Sequence, residues 1–471
     1  MKILLIAMPD AANNYFRMVK IPNLGLCSIA ANLQGHEVKI LDLVLAHKGV
    51  GACLSSCLRE FKPDLVGVSS MSFQYPTAKK TMSLIRQFDP GIKIALGGYH
   101  ATTQWKALAE EQDPAFDFII KGEGERAFSM LADALEKGAS FSGMPGLSYK
   151  ENGKFAHNPS GELTDLSTLP LPDRSPRLLK DFTYLNKKMD AIETSRGCSF
   201  LCSFCSIANM YGRSFRPYSI DRVIRDLERV KSDKVESVLM VDDNITLDVP
   251  RFKAICEAIV EKGLNAMEYF VQASVLGIAQ DPELVDKMAA ANFKLVFLGI
   301  ESVHKKNLQF LKKGDIREKT VQAVDLLKSR GIAILGGFIV GNPDDTREDV
   351  RHVFNEAKKL RIDLAVVQCL TPYPNTKLRE ELLEMGLVTN KNDLSRYNGF
   401  MCNVRTRHMT NKQLNRAMNW ENMKMFFRPG WFVDNNLIRN REKGSLKVML
   451  NNFEYIRGWF RGDQFHSRHR F

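Results

Sequence analysis

The chain predicts an α/β protein: a doubly wound parallel sheet, then an open, partial (β/α)6 barrel, then a helical tail. Three observations in its 471 residues carry that expectation. Short apolar runs alternate with helix-spaced segments along most of the chain. A turn-rich stretch near residue 170 divides the alternation into two blocks. The strand rhythm stops after Asn390.

The first block covers residues 1–150. Residues 2–7 form an apolar strand, and 24–33 have helical spacing and are followed by Gly35. A strand over 37–41, a helix over 51–61, a strand over 64–69 and a helix over 76–88 come next. The fourth strand, 93–96, is closed by Gly97-Gly98; the fifth spans 116–120, and a helix spans 126–137. Five strands at this rhythm imply a parallel sheet covered on both faces. Such sheets bind ligands at the carboxyl ends of their strands. Residues 151–190 carry Asn152-Gly153, Ser160-Gly161 and Leu169-Pro-Leu-Pro-Asp173, the signals of an extended interdomain linker.

The second block covers 191–390. Its expected strands are 191–194, 237–241, 269–273, 295–300, 333–340 and 364–370. Helices lie between them; Thr346-Arg-Glu-Asp349 is a capping-box start leading into 350–360. Six βα units make the partial barrel. Residues 391–471 are expected to be helical.

Composition is that of an ordinary globular protein, with 44% hydrophobic and 25% charged residues. No run of 18 apolar residues predicts a membrane span. The apolar opening, residues 1–8, is too short for a signal peptide, so a cytoplasmic protein is expected. The net charge is +12, and residues 401–471 hold 14 Lys/Arg against 5 Asp/Glu, or +9.

Nine cysteines without a secretory signal argue against a disulfide framework. Six are scattered, as small buried residues usually are. The other three stand in Arg196-Gly197-Cys198-Ser-Phe-Leu-Cys202-Ser-Phe-Cys205, right after the first strand of the second block. A zinc site would need a fourth ligand, and no further Cys or His stands nearby. Three thiolates suit an iron–sulfur cluster with one iron left open.

This loop resembles the signature of the radical S-adenosylmethionine (SAM) superfamily, with Phe204 as the aromatic residue before the third cysteine. The resemblance implies a [4Fe–4S] cluster on Cys198, Cys202 and Cys205 whose open iron binds SAM. It also implies reductive cleavage of SAM to a 5′-deoxyadenosyl radical and a low-potential electron donor of flavodoxin or ferredoxin type. By the same resemblance, Asp242 or Asp243 at the second strand end approaches the SAM amino group. Gln272 points from the third strand. Glu301, in Gly299-Ile-Glu301-Ser302, lies on the ribose side, and Gly341, in Gly337-Phe-Ile-Val-Gly341, lies beside adenine. Thr371-Pro-Tyr-Pro-Asn-Thr376 is similar to a segment of the cobalamin-dependent subgroup.

The first block in turn resembles the flavodoxin-like cobalamin-binding domain of that subgroup. The residues are Ser69-Ser70 after the third strand, Gly97-Gly98 after the fourth, and Gly122-Glu123-Gly124-Glu125 after the fifth. Small strand-end residues would let a corrin lie against backbone. The Asp-x-His-x-x-Gly motif of histidine-ligated cobalamin domains is missing: Met8-Pro9-Asp10-Ala11-Ala12 stands in its place, and Asp42 and His47 do not fit. The lower face of cobalt is therefore expected to lack a histidine.

Three of four tryptophans, Trp420, Trp431 and Trp459, lie in the basic tail among Phe426, Phe427, Arg428, Phe432, Tyr455, Arg457, Phe460 and Arg461. This pattern reads either as a helical cap on the barrel or as a surface for peripheral contact with the inner membrane face. No RNA-binding module is visible, and no nucleic-acid partner is expected. The resemblance implies C-methylation of an unactivated carbon of a hydrophobic substrate. A hopanoid-like lipid is favoured, ahead of a tetrapyrrole or a natural product. One SAM would supply methyl to cobalamin and a second would supply the radical. The alternative enzyme resembles the anaerobic magnesium-protoporphyrin monomethyl ester oxidative cyclase; a cobalamin-binding sensor is the non-enzyme alternative. A methylthiotransferase is disfavoured, since a second cysteine triad is missing.

Overall fold

Both sheets are built from β-branched and leucine-rich runs buried on two faces, the pattern of a covered parallel sheet. The computed structural model describes residues 1–10, 19–46, 49–184 and 187–426. The first sheet contains β1 (Lys2–Ala7), β2 (Glu37–Asp42), β3 (Leu65–Ser69), β4 (Lys93–Gly97) and β5 (Phe118–Ile120). They pair in parallel in the order β2-β1-β3-β4-β5. The switch point therefore falls between β1 and β3, where doubly wound sheets open a crevice for ligands. Apolar layers cover both faces, one around Leu5 and Phe128, the other around Leu4, Val66 and Leu96.

Two expectations for this region change. A hairpin, β6 (Leu147–Glu151) and β7 (Lys154–His157), extends the sheet antiparallel to β5 beyond residue 150. Asn152 and Gly153, at φ 51° and 79°, form its tight turn rather than part of a linker. A helix over Gly98–Ala109, unpredicted, leaves β4 without a loop.

The remaining connector is packed, not free. Ile40 N–H donates to Pro176 O at 2.9 Å and Leu178 N–H to Ile40 O at 2.9 Å, so the segment runs along the β2 edge. Buried Arg174 and Arg177 then bind Asp226 and Asp190 of the second unit at 2.6 Å each. Each buried charge has a partner, which such burial requires.

The second sheet holds β8 (Thr183–Tyr184), β9 (Lys187–Ile192), β12 (Ser237–Met240), β13 (Glu268–Ser274), β14 (Phe293–Glu301), β15 (Ala333–Val340) and β16 (Leu364–Cys369). A separate two-stranded clip, β10 (Ser195–Arg196) with β11 (Arg216–Pro217), follows β9. The main order is β16-β15-β14-β13-β12-β9-β8. Six strands run parallel in chain order, and β8 caps the edge antiparallel. Helices pack one face; Phe182, Met189, Phe270, Leu295 and Leu335 form a layer on the other. This is the open barrel the sequence predicts.

Among the described residues of the tail, 391–426, one stretch is helical and one is not. Residues 397–410 are irregular after a single turn at Leu394–Arg396, and a helix covers Asn411–Phe426. Trp420 on that helix is 43% exposed. Trp431, Trp459 and the other aromatic and basic residues named after Phe426 lie outside the described residues, as do Ala11, Ala12 and His47. Among the described residues no helix is long and apolar enough to cross a membrane.

Candidate active site

The cysteine loop is held at both ends by its backbone. Gly197 has φ +86°, and an added Cβ there would lie 2.3 Å from Ser214 O, so only glycine fits. Its N–H donates to Asp243 Oδ2 at 2.9 Å. Toward the other end, Ser203 N–H donates to Leu311 O at 3.1 Å and Ser203 O accepts from Leu378 N–H at 3.2 Å. The loop is thus pegged to the segments after β14 and β16.

Cys198, Cys202 and Cys205 face a cavity of about 840 Å³. Phe204, Asp243, Gln272 and Glu301 line it with them. Burial pushes all three thiols up, Cys205 to about 12. Buried thiols of that kind need a cation or a metal before they ionise. Among the described residues no three His, Cys, Asp or Glu groups close around a single ion. Three soft thiols on one cavity wall suit an iron–sulfur cluster.

Asp243 and Asp242 part company. Burial pushes the Asp243 carboxyl up to about 6, with Gly197 N–H opposing. Asp242 lies fully buried behind the wall and accepts from Thr194 N–H at 2.8 Å and from the Thr194 and Ser195 hydroxyls. Its role is to tie the approach to the cysteine loop onto the β12 end. Gly341 is absent from the cavity wall as well. Its φ is +91°, and an added Cβ would meet Leu414 at 2.7 Å, so it seats the C-terminal helix.

Lys313, unsuspected from sequence, completes the wall. Its ammonium stands 3.1 Å from Glu301 Oε1. Burial opposes its charge, but Glu301 and the neighbouring Cys202 and Cys205 outweigh burial and hold it protonated. Glu301 takes φ +63° at an irregularity in the β14–β15 register. A Cβ on Gly299 would come within 2.8 Å of Glu301 Oε1 and 3.3 Å of Lys313 Nζ, so a side chain there would displace the ends of the pair. A non-glycine residue in left-handed backbone marks strain of the kind found at functional sites. In the sequence, Lys313 follows Lys312 in a polar stretch, and only its burial singles it out.

A second cavity, a slot of about 200 Å³, opens at the strand ends of the first sheet. Ser69, Gly97, Gly98, Gly122 and Glu123 line it. Gly98 has φ +87°, and a Cβ there would strike Ser69 Oγ, Ser70 N and Ser70 O at 2.9–3.0 Å. Ser70 is buried; its hydroxyl donates to Met71 O and its N–H to Gly97 O. It shapes the turn instead of lining the slot. Gly122, at φ +75°, faces open space. These bare strand ends are the surface a flat macrocycle needs to approach backbone.

Glu123 differs from its expected part. Its carboxylate binds Arg196 at 2.8 Å and Arg216 at 2.7 Å, both from the second unit. Burial works against the ionised form, but the Arg216 and Arg196 hydrogen bonds outweigh it and hold the carboxyl below its ordinary range. The carboxylate is engaged by protein, so what it offers a ligand is position, not charge.

Family models match both units: the radical SAM superfamily over residues 192–357 and the B12 binding domain over 18–132. An uncharacterised methyltransferase of Pyrococcus horikoshii is 30% identical over 91% of this chain and 93% of its own. The anaerobic magnesium-protoporphyrin IX monomethyl ester cyclase of Rubrivivax gelatinosus is 27% identical over 83% of this chain and 71% of its own. The hopanoid C-3 methylase of Methylococcus capsulatus is 27% identical over 76% and 68%. In fold, the chain matches the cobalamin-dependent SAM radical enzyme OxsB with aqua-cobalamin and SAM bound, with TM-score 0.73, 18% identity, and coverage of 97% of this chain and 75% of that one. A cysteine-loop barrel joined to a strand-end cradle, matched along nearly its whole length, makes this chain a member of the cobalamin-dependent radical SAM methyltransferase family, an enzyme whose cofactors are a [4Fe–4S] cluster, SAM and cobalamin.

Proposed function

We propose that the enzyme methylates an unactivated carbon of a hydrophobic substrate. The observation that carries this reading is the short covalent and hydrogen-bonded link between the two cavities. Arg196, two residues before Cys198, lines the slot at the strand ends, while Asp243, which holds Gly197, lines the cysteine cavity. Two cofactor cavities tied to one loop suit a reaction that draws on both cofactors at one carbon. When bound, the cluster and SAM supply a carbon-centred radical, and cobalamin carries the methyl group.

The chain's own residues bind and orient. Cys198, Cys202 and Cys205 hold the cluster; Phe204 packs its ring beside them. Asp243 and Gln272 offer acceptors to an ammonium group. The Lys313 ammonium offers a counter-charge to a carboxylate, with Glu301 and Gln272 as acceptors for hydroxyl groups. Ser69, Gly97, Gly98 and Gly122 receive the corrinoid. The chain holds the reacting groups in place and excludes water, which is where a protein's share of such catalysis lies.

The relative at 30% identity, named a methyltransferase, supports methyl transfer, and the hopanoid C-3 methylase supports a lipid-like substrate. The basic, aromatic tail adds a peripheral contact with an anionic membrane face to the same proposal. The cyclase relative at 27% supports oxidation of a tetrapyrrole as the second reading. A low-potential electron donor serves either. Comparing lipid and pigment extracts of cells with and without the gene by mass spectrometry separates them. A compound heavier by one methylene in the expressing cells fits methylation; a new ring carbonyl on a tetrapyrrole fits the cyclase instead.

A further inference from the structure

Glu123 occupies a place that neither cofactor site explains alone. Its Oε1 accepts from Arg196 Nη1 at 2.8 Å and from Arg216 Nη2 at 2.7 Å. Its Oε2 accepts from Arg216 Nη1 at 3.2 Å and from Thr164 N–H at 2.8 Å. Arg196 and Arg216 are direct cross-strand partners in the clip that closes the base of the cysteine loop. Arg196 reaches on to Glu125 Oε1 at 2.6 Å and Glu193 Oε2 at 2.9 Å. Glu123 and Glu125 flank Gly124, just after Gly122 at the cradle, and both line the slot. The cradle of one cofactor and the clip of the other therefore grip the same carboxylate.

Burial gives the arrangement its stiffness. Side-chain exposure is 6% for Glu123, 5% for Glu125 and 6% for Arg196. Water does little to screen charges at that depth, and moving either side would leave a buried charge unpaired. The two-pronged Arg216 fork on the Glu123 carboxylate, with one bond from Arg196 beside it, also fixes direction, which a lysine pair would not.

We infer that Glu123 is a positioning residue that couples the two cofactor sites, fixing the cysteine-loop clip against the corrinoid cradle so that filling either site favours filling the other. The inference rests on the reading that the chain holds both a cluster and cobalamin. Thermodynamic coupling of this kind is reciprocal, so it is measurable from either site.

The test uses full-length protein under anaerobic conditions. Hydroxocobalamin is titrated into protein with and without a reconstituted cluster, followed by absorbance, and iron is counted in parallel. In the wild type the cluster-loaded form binds the corrinoid at least about fivefold more tightly, the lower end of ordinary coupling. In Glu123→Gln both cofactors still load, but the ratio of affinities falls to about one, the value for uncoupled sites. A residue that only stabilised the fold would weaken both affinities and leave the ratio unchanged. Should Glu123→Gln fail to fold, Arg216→Lys keeps the charge, loses the fork and is expected to reduce the ratio. A wild-type ratio of one, or a ratio in the folded variant equal to the wild type's, overturns the inference. Wild-type protein that takes up no corrinoid or no iron refutes the underlying reading instead.

Discussion

Replacing Gly197 with alanine perturbs the base of the cysteine loop without touching a thiol. Two costs add there. An alanine at φ +86° adopts left-handed backbone, which costs about 1–2 kcal/mol. Its Cβ would also lie 2.3 Å from Ser214 O, a backbone atom that side-chain motion cannot clear. Overpacking of that kind costs about 1–3 kcal/mol more. Gly331 separates the two: its φ is +70°, but a Cβ there meets nothing within 4 Å. Gly331→Ala should carry the backbone cost alone. Each kcal/mol lowers the melting temperature by about 2–4 °C in a domain of roughly 150–250 residues, the size of the unit that carries both glycines. Thermal melts of both variants, with iron counted after anaerobic reconstitution, compare them. Gly331→Ala should melt slightly early and hold about four irons. Gly197→Ala should melt earlier and lose iron, because the clip must open to relieve the overlap. Equal melting temperatures with full iron in both variants would refute the argument that the Ser214 contact governs the loop.

Further outcomes follow from other sites. Replacing Cys198, Cys202 and Cys205 together with alanine should abolish iron binding and SAM cleavage; full iron retention would sink the cluster assignment. Lys313→Met leaves Glu301 without its cation and should weaken SAM binding on the order of tenfold, or about 1.4 kcal/mol. The SAM-dependent change in the electron paramagnetic resonance of the reduced cluster reads this, and an unchanged titration counts against Lys313. Burial pushes the His100 imidazole down to about 4 from an ordinary 6.5. The neutral ring's contribution to stability is complete above pH 6.5 and is lost as pH falls toward 4, up to roughly 3 kcal/mol. His100→Gln should flatten that part of the stability profile; an unchanged slope in chemical denaturation would contradict it.

Much of the architecture was legible because parallel strands advertise themselves. The run at 333–340 is an unbroken apolar stretch and that at 364–370 is interrupted only by Gln368, the near-continuous pattern of strands buried on both faces. The hairpin over Leu147–His157 was harder to read, since Asn152-Gly153 signals a hairpin turn and a linker turn alike. The helix over Gly98–Ala109 hid behind its own start: a glycine pair, then a mixed polar and aromatic sequence of weak amphipathic character. At the site, the three thiols were legible from spacing alone. Which of Asp242 and Asp243 faces the cavity was not, because neighbouring residues at a strand end diverge by side and only the surrounding fold sets the side. Glu123 was located at the right strand end, but its engagement by Arg196 and Arg216 depends on residues 73 and 93 positions away. Lys313 carries no motif at all. Its importance comes from burial beside Glu301, which only the three-dimensional arrangement reveals.

Whether the two cofactors act together on one carbon is tested most directly by isotope accounting. Protein reconstituted with iron, sulfide and cobalamin is given SAM bearing a deuterated methyl group, a low-potential reductant and a lipid extract, without oxygen. If they do, the product carries the intact deuterated methyl, and S-adenosylhomocysteine and 5′-deoxyadenosine form together. Formation of 5′-deoxyadenosine with no S-adenosylhomocysteine and no labelled product, from either lipid or tetrapyrrole extracts, would contradict that joint action.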